Sequence, residues 1–155
     1  MNTLIMACSA GKLDTVSTPM DMYRSRAWDL VRARARIAGF KVYVLSAEHG
    51  LINSEGCVIE PYDRKMDPAR AREITRLGHG LMTSMPGRIH VFGGKAYRDI
   101  IKAWSDNQNI VEVTGLGRGC GDHYSALVKL LGPRLKRRFC PHTGVEHHVE
   151  IGARL

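Results

Sequence analysis

Short apolar runs that each stop at a cluster of small and polar residues, with helix-period segments between them, decide what this chain can fold into. Leu4–Ala7 leads into Cys8-Ser9-Ala10-Gly11-Lys12, and Val42–Leu45 leads into Ser46-Ala47-Glu48-His49-Gly50. Arg88–Phe92 stops at Gly93-Gly94-Lys95, and Ile110–Thr114 stops at the glycine-rich stretch 115–121. Between the first two runs, Ala27, Leu30, Val31, Arg34 and Ile37 repeat every three to four residues, which predicts a helix over Asp21–Ala38 ended by Gly39. Asp67-Pro68 is an N-cap followed by a first-turn proline and opens a second helix, running to about Met85, where Pro86-Gly87 breaks it. Ala96–Trp104 and Asp122–Leu131 read as two more. Strands alternating with helices need crossover connections, so the expected fold is a single three-layer α/β domain with a mainly parallel sheet of about four strands. Residues 46–66 have no periodicity and read as a long connection, of the kind that carries function in compact domains. The domain is expected over 1–132, with 133–155 as a basic, histidine-rich C-terminal extension that holds a short strand at Val149–Ile151.

At 155 residues the chain can bury a real core as one domain. A hydrophobic share of 44% with 25% charged residues excludes an intrinsically disordered protein. There is no apolar run long enough for a membrane helix, so no membrane partner is expected. No basic leader precedes an apolar stretch, and the four cysteines (8, 57, 120 and 140) form no paired framework. A reduced, cytoplasmic protein is therefore expected, in the host cytoplasm if the chain is phage-encoded. Lys plus Arg outnumber Asp plus Glu by 23 to 15, a net charge of +8, which favours a polyanionic partner, nucleic acid first of all. The competing reading is an arginine-rich composition that serves solubility alone.

The strand ends carry the chemistry. In Cys8-Ser9-x-x-Lys12, a hydroxyl and successive backbone N–H groups suit a phosphate or the edge of a base, and Lys12 adds charge; the alternative is a structural cysteine beside a solvated lysine. Ser46 to Leu51 offers His49 as a proton donor or phosphate holder, or as a ring that fixes its own loop, with Glu48 as a nearby acid. Pro61-Tyr62-Asp63 brings a carboxylate and an aromatic ring, or is simply a turn. Gly93-Gly94-Lys95, between a strand and a helix, resembles a phosphate cradle, although the GxxxxGK[ST] spacing of ATP hydrolases is missing. The 115–121 loop holds four glycines and Arg118, too irregular for a dinucleotide fingerprint. Tyr23, at the start of the first helix, joins the site loops. Cys120-x-x-His123 and Cys140-x-His142 offer soft ligands for a structural zinc, but match no standard finger. Arg137 and Arg138, beside Arg134 and Lys136, form a patch suited to a phosphate backbone. Ser9, Lys12, Ser46, His49 and Asp63 are expected to meet in one cleft at the carboxyl end of the sheet.

CSxxK, LSAxxGL and PYD, in this order, resemble a family of small bacterial and phage domains related to the peroxide-stress YaaA proteins. They also resemble the CS-x-x-K domain of archaeosine synthases, which has a uracil-DNA-glycosylase-like fold. The resemblance covers about residues 3 to 130. It implies that fold and a role in handling nucleic-acid bases, by excision or by exchange as in 7-deazaguanine transglycosylases, with a free modified base as a second partner and no required cofactor. On that resemblance Asp63, with Glu60 in reserve, would stabilise the positive charge that develops on the sugar as an N-glycosidic bond breaks. His49 would assist the leaving base, and Tyr62 would stack on an extruded one, with Cys8, Ser9, Lys12, Tyr23 and Ser46 holding the substrate. This chain has Arg118 and Cys120 where the relatives carry GLxIG. A non-catalytic YaaA-like DNA-binding protein and a small nucleotide or nucleoside hydrolase are the alternatives.

Overall fold

The computed structural model describes residues 1–78, 80–105, 109–114 and 121–133, together with the backbone of Cys120, 135–139 and 146–150. Five strands form one sheet: β1 (Asn2–Ala7), β2 (Phe40–Ser46), β3 (Gly50–Asn53), β4 (Ile89–Phe92) and β5 (Ile110–Glu112), in the order β3-β2-β1-β4-β5. β1 pairs parallel with both β2 and β4, and β4 with β5, whereas β3 folds back antiparallel on β2. The helices are α1 (Pro19–Met22), α2 (Arg26–Arg34), α3 (Pro68–Leu77), α4 (Lys95–Trp104) and α5 (Cys120–Leu131). The chain steps outward from β1 to β2 and β3, then crosses back through α3 to β4 on the far side of β1. The strand order therefore reverses between β1 and β4, and the loops leaving their carboxyl ends diverge to open a crevice.

The apolar runs are continuous because the sheet is covered on both faces. Leu4 and Met6 of β1, with Val42 and Val44 of β2, pack on Trp28, Leu30 and Val31 of α2 and on Leu127 and Leu131 of α5. The alternate residues Ile5, Tyr43 and Leu45 face the other layer, where Ile74 of α3 and Ile100, Ile101 and Trp104 of α4 meet them. Each fully buried side chain of this size contributes roughly 1.5–3 kcal/mol relative to exposure, so β1, covered on both faces, anchors the domain.

Several boundaries differ from the sequence expectation. The sheet has five strands, because Gly50–Asn53 in the supposed connection pairs along β2. Gly50 sits at φ 70°, a left-handed conformation that lets the chain reverse there. The helix expected over Asp21–Ala38 is two helices. Thr18 caps α1 by accepting from the Asp21 N–H, Tyr23 is extended, and Ser25 caps α2 by accepting from the Trp28 N–H at 3.2 Å. The break frees Tyr23 to bridge to Lys12 across Leu13 N–H to Met22 O and Arg24 N–H to Gly11 O, both 2.8 Å. The Asp67 carboxylate caps α3 through the Arg70 N–H at 2.7 Å, as expected, but α3 ends at Gly78 (φ 85°), ahead of a 3₁₀ turn at Met82–Ser84. In the extension, β6 (Leu135–Phe139) and β7 (Glu146–Glu150) form an antiparallel pair, in place of the single strand expected at Val149–Ile151. Among the described residues no helix is long and apolar enough to cross a membrane.

Candidate functional site

A cavity of about 590 Å³ opens at the reversal point between β1 and β4. The first turns of three helices line it: Ser25, Arg26 and Trp28 of α2, Gly94 and Tyr97 of α4, and Gly121, His123 and Tyr124 of α5. Helix amino termini present unpaired N–H groups and a partial positive charge, so three of them around one cavity favour an anion. Gly94 caps α4 without a side-chain hydrogen bond. Gly93 is required sterically, since a Cβ there would lie 2.6 Å from the Ala7 Cβ where β1 and β4 draw together. Trp28, Phe92, Tyr97 and Tyr124 supply flat apolar walls. The Trp28 indole donates to the Ala7 carbonyl at 3.2 Å, which fixes its ring, and the exposed Arg26 guanidinium stacks 4.4 Å from the Tyr124 ring centre. The Cys8 thiol meets the Tyr97 hydroxyl at 3.2 Å. Burial, together with the Cys8 hydrogen bond, pushes the Tyr97 phenol above its ordinary range, so it stays protonated. The His123 Nδ1 in the lining is buried without a hydrogen-bond partner.

Beside the cavity, the residues after β2 form a polar knot around Tyr62. The Tyr62 hydroxyl joins Ser46 Oγ at 2.7 Å and the Tyr23 hydroxyl at 2.8 Å. Ser46 Oγ also accepts from the Glu48 and His49 N–H groups at 3.1 and 3.0 Å. The Lys12 ammonium lies 4.5 Å over the Tyr62 ring, and the His49 ring meets it edge-on at 5.4 Å. Tyr23 stacks on Trp28 at 5.1 Å, which connects the knot to the cavity wall. Burial raises the phenols of Tyr62 and Tyr23, and a negative charge on Cys8 would raise both further; these hydroxyls act as neutral hydrogen-bonding groups. The turn at 46–49 is clamped from below by Arg70, buried at 7% exposure, whose guanidinium donates to Ala47 O at 2.6 Å and Glu48 O at 2.5 Å and pairs with Glu73 at 2.8 Å.

The expected single cleft is thus divided. Cys8, Ser9, Gly93 and Gly94 line the cavity, with Ser9 Oγ donating to Gly11 O at 2.7 Å. Lys12, Tyr23, Ser46, His49 and Tyr62 gather in the knot, because β2 lies on the side of β1 away from β4 and its hairpin turns the 46–49 loop over that edge. The exposed His49 also lines a separate small hollow with Leu51, Ile74 and Trp104. Asp63 is exposed and makes no hydrogen bond or ion pair among the described residues; Glu48 faces Arg64 at 3.7 Å. Lys95 turns from the glycine pair to Asp99, 2.5 Å away on the exposed side of α4. Arg118, Cys140 and His142 lie outside the described residues. Arg137 and Arg138 are in β6, described by backbone alone, as is Cys120 at the start of α5. No three His, Cys, Asp or Glu among the described residues come together to hold a metal ion. Sequence reasoning missed Arg26, Trp28, Tyr97, Tyr124 and Arg70. Arg70 had a signal: it lies four residues before Ile74 on the buried stripe of α3, where a charge needs a partner.

A model of a protein family described as of unknown function, DUF6884, matches residues 3–129. The chain belongs to this family. The match takes in all five strands of the main sheet, the cavity lining and the Tyr62 knot, and leaves out β6 and β7. No curated protein and no solved structure matches the chain.

Proposed function

We propose that this protein acts on nucleic acid, DNA first of all, by receiving an extruded nucleotide in the cavity between β1 and β4 and excising or exchanging its base at the N-glycosidic bond. The observation that carries the proposal is the convergence of three helix amino termini and Arg26 on a cavity walled by four aromatic rings. That combination matches a phosphate joined to a flat heterocycle. The resemblance of CSxxK, LSAxxGL and PYD to YaaA-like and uracil-DNA-glycosylase-like domains supports the reaction class and a fold of that kind. In this reading the Tyr62 knot borders the cavity through Tyr23 and Trp28, with His49 against the Tyr62 ring and Asp63 next in sequence. Cys8, Ser9, Gly93 and Gly94 hold the nucleotide in the cavity, and the roles of stabilising the positive sugar and assisting the leaving base fall to Asp63 and His49 from the neighbouring loops.

One observation favours a second reading. The described cavity lining contains no carboxylate, as suits a non-catalytic nucleic-acid-binding protein of the YaaA kind. Incubation with DNA duplexes, with and without free 7-deazaguanine bases, followed by digestion to nucleosides and mass spectrometry separates the two. Released or exchanged base, lost at least about a hundredfold in Asp63→Asn, supports the enzyme. DNA binding with every base left in place supports the binder.

A further inference from the structure

Among the described residues some cations face a carboxylate and others, Lys65, Arg72 and Arg76 among them, have no ion-pair partner. Arg32, Arg64, Arg70, Lys95, Arg98 and Lys102 each face a carboxylate. At the edge of the sheet opposite the cavity the cations are unpaired. Arg36 lies in the turn between α2 and β2, Lys41 is the second residue of β2, Arg88 immediately precedes β4 and Lys129 is in the last turn of α5. All four are exposed, and none has an ion-pair partner among the described residues. They belong to one rim. The Asn2 N–H bonds to Gly39 O at 3.0 Å, Asn2 Oδ1 accepts from the Arg88 N–H at 3.1 Å, and the Thr3 N–H bonds to Arg88 O at 2.8 Å, which sets Arg88 two strands, about 10 Å, from β2. Arg34 at the end of α2 donates to Leu131 O at 3.2 Å, joining the α2 and α5 ends of the rim.

We propose that this amino-terminal edge of the sheet is a second, sequence-independent docking surface, and that its partner is a nucleic-acid phosphate backbone. Four exposed cations against one described carboxylate, Glu55 beyond the end of β3, leave the described part of this rim positive, which suits a polyanion, and arginine forks match phosphate oxygens in pairs. The edge lies the length of β1, about 17 Å, from the cavity mouth, so it holds a stretch of backbone other than the nucleotide in the cavity. The two sites are independent, and either can fail without the other.

The test is fluorescence anisotropy with a short labelled duplex over a range of salt, for wild type, for R36Q/K41Q/R88Q/K129Q, and for R72Q/R76Q as a control on the exposed side of α3. Each phosphate contact contributes about 0.9 to the slope of log affinity against log salt. The quadruple variant should lower that slope by about 3 to 4 and weaken binding at least about tenfold near 0.1 M salt, while the control stays within about twofold of wild type. Far-UV circular dichroism checks the fold. If the quadruple variant is compromised, R36Q and R88Q alone should each lower the slope by about 1. A quadruple variant with wild-type affinity and slope overturns the proposal, as does a wild-type protein that binds no nucleic acid at low salt. Phosphatidylserine vesicles bound as tightly as DNA, with the same dependence on the four residues, would also overturn it and make the partner a membrane surface. Binding of free nucleotide in the cavity, read separately, should be unchanged in the quadruple variant.

Discussion

Replacing Arg70 by methionine should loosen the loop that presents His49 and cost measurable stability. Methionine fills similar space along the buried stripe of α3 but donates nothing. Two carbonyls, Ala47 O and Glu48 O, lose bonds of 2.6 and 2.5 Å from a guanidinium only 7% exposed. An unsatisfied buried acceptor costs about 1–3 kcal/mol. Glu48 is half-exposed, so water recovers part of its share, and removing a desolvated cation returns some as well. The contact to the exposed Glu73 adds little. The net loss is about 2–3 kcal/mol, which for a domain of this size lowers Tm by about 4–12 °C. Arg70→Lys keeps the charge but not the fork and should fall between the two. Urea and thermal unfolding measure this, with Arg72→Met, exposed on the same helix, as the control. An Arg70→Met protein within about 0.5 kcal/mol of wild type would refute the clamp, because that is the range of an ordinary surface change.

Gly93→Ala places a Cβ 2.6 Å from the Ala7 Cβ and should cost about 1–3 kcal/mol by overpacking the floor of the cavity, with nucleotide binding weakened in the same protein; unchanged unfolding and binding would count against the close approach. His90 is buried in β4 with an unpartnered Nδ1, and burial, aided by Arg88, holds its pKa below the ordinary histidine value. The unfolded chain therefore takes up a proton near pH 6.5 before the folded one does. Stability should be full above that pH and fall by up to about 1.4 kcal/mol per pH unit as pH drops from there towards the depressed folded value. His90→Leu should flatten that part of the stability profile, and an unaltered slope would assign it to other groups.

The sequence disclosed elements better than neighbours. β1, β2 and β4 were legible because a strand covered on both faces is largely apolar, β5, at the sheet edge, as a short Ile-Val run, and α3 because Asp67-Pro68 is a cap with a physical cause. β3 was not, since four residues on a sheet edge, beginning at a left-handed glycine, carry no period. The break at Tyr23 was hidden by an apolar spacing that runs on from α1 into α2, although Thr18-Pro19 and Ser25 each signal a helix start. The candidate site was legible as a set of strand ends. Its division was not, because it follows from the order of strands: β4 lies against β1 on the side away from β2, so the loops after β1 and β4 share the cavity while the loop after β2 turns to the Tyr62 knot. Tyr97, Tyr124 and Trp28 came to the cavity on helices whose partners only the sheet order reveals.

The central claim is that the crevice between β1 and β4 is a nucleotide site. The most direct measurement is a ¹H–¹⁵N NMR titration with nucleoside 5′-monophosphates, and with the matching nucleosides to isolate the phosphate. The account predicts saturable shifts at the Ser9, Gly93, Gly94 and Gly121 amides and the Trp28 indole, weaker with nucleosides. No shift at these groups at millimolar ligand, or shifts confined to surfaces away from the cavity, would contradict it.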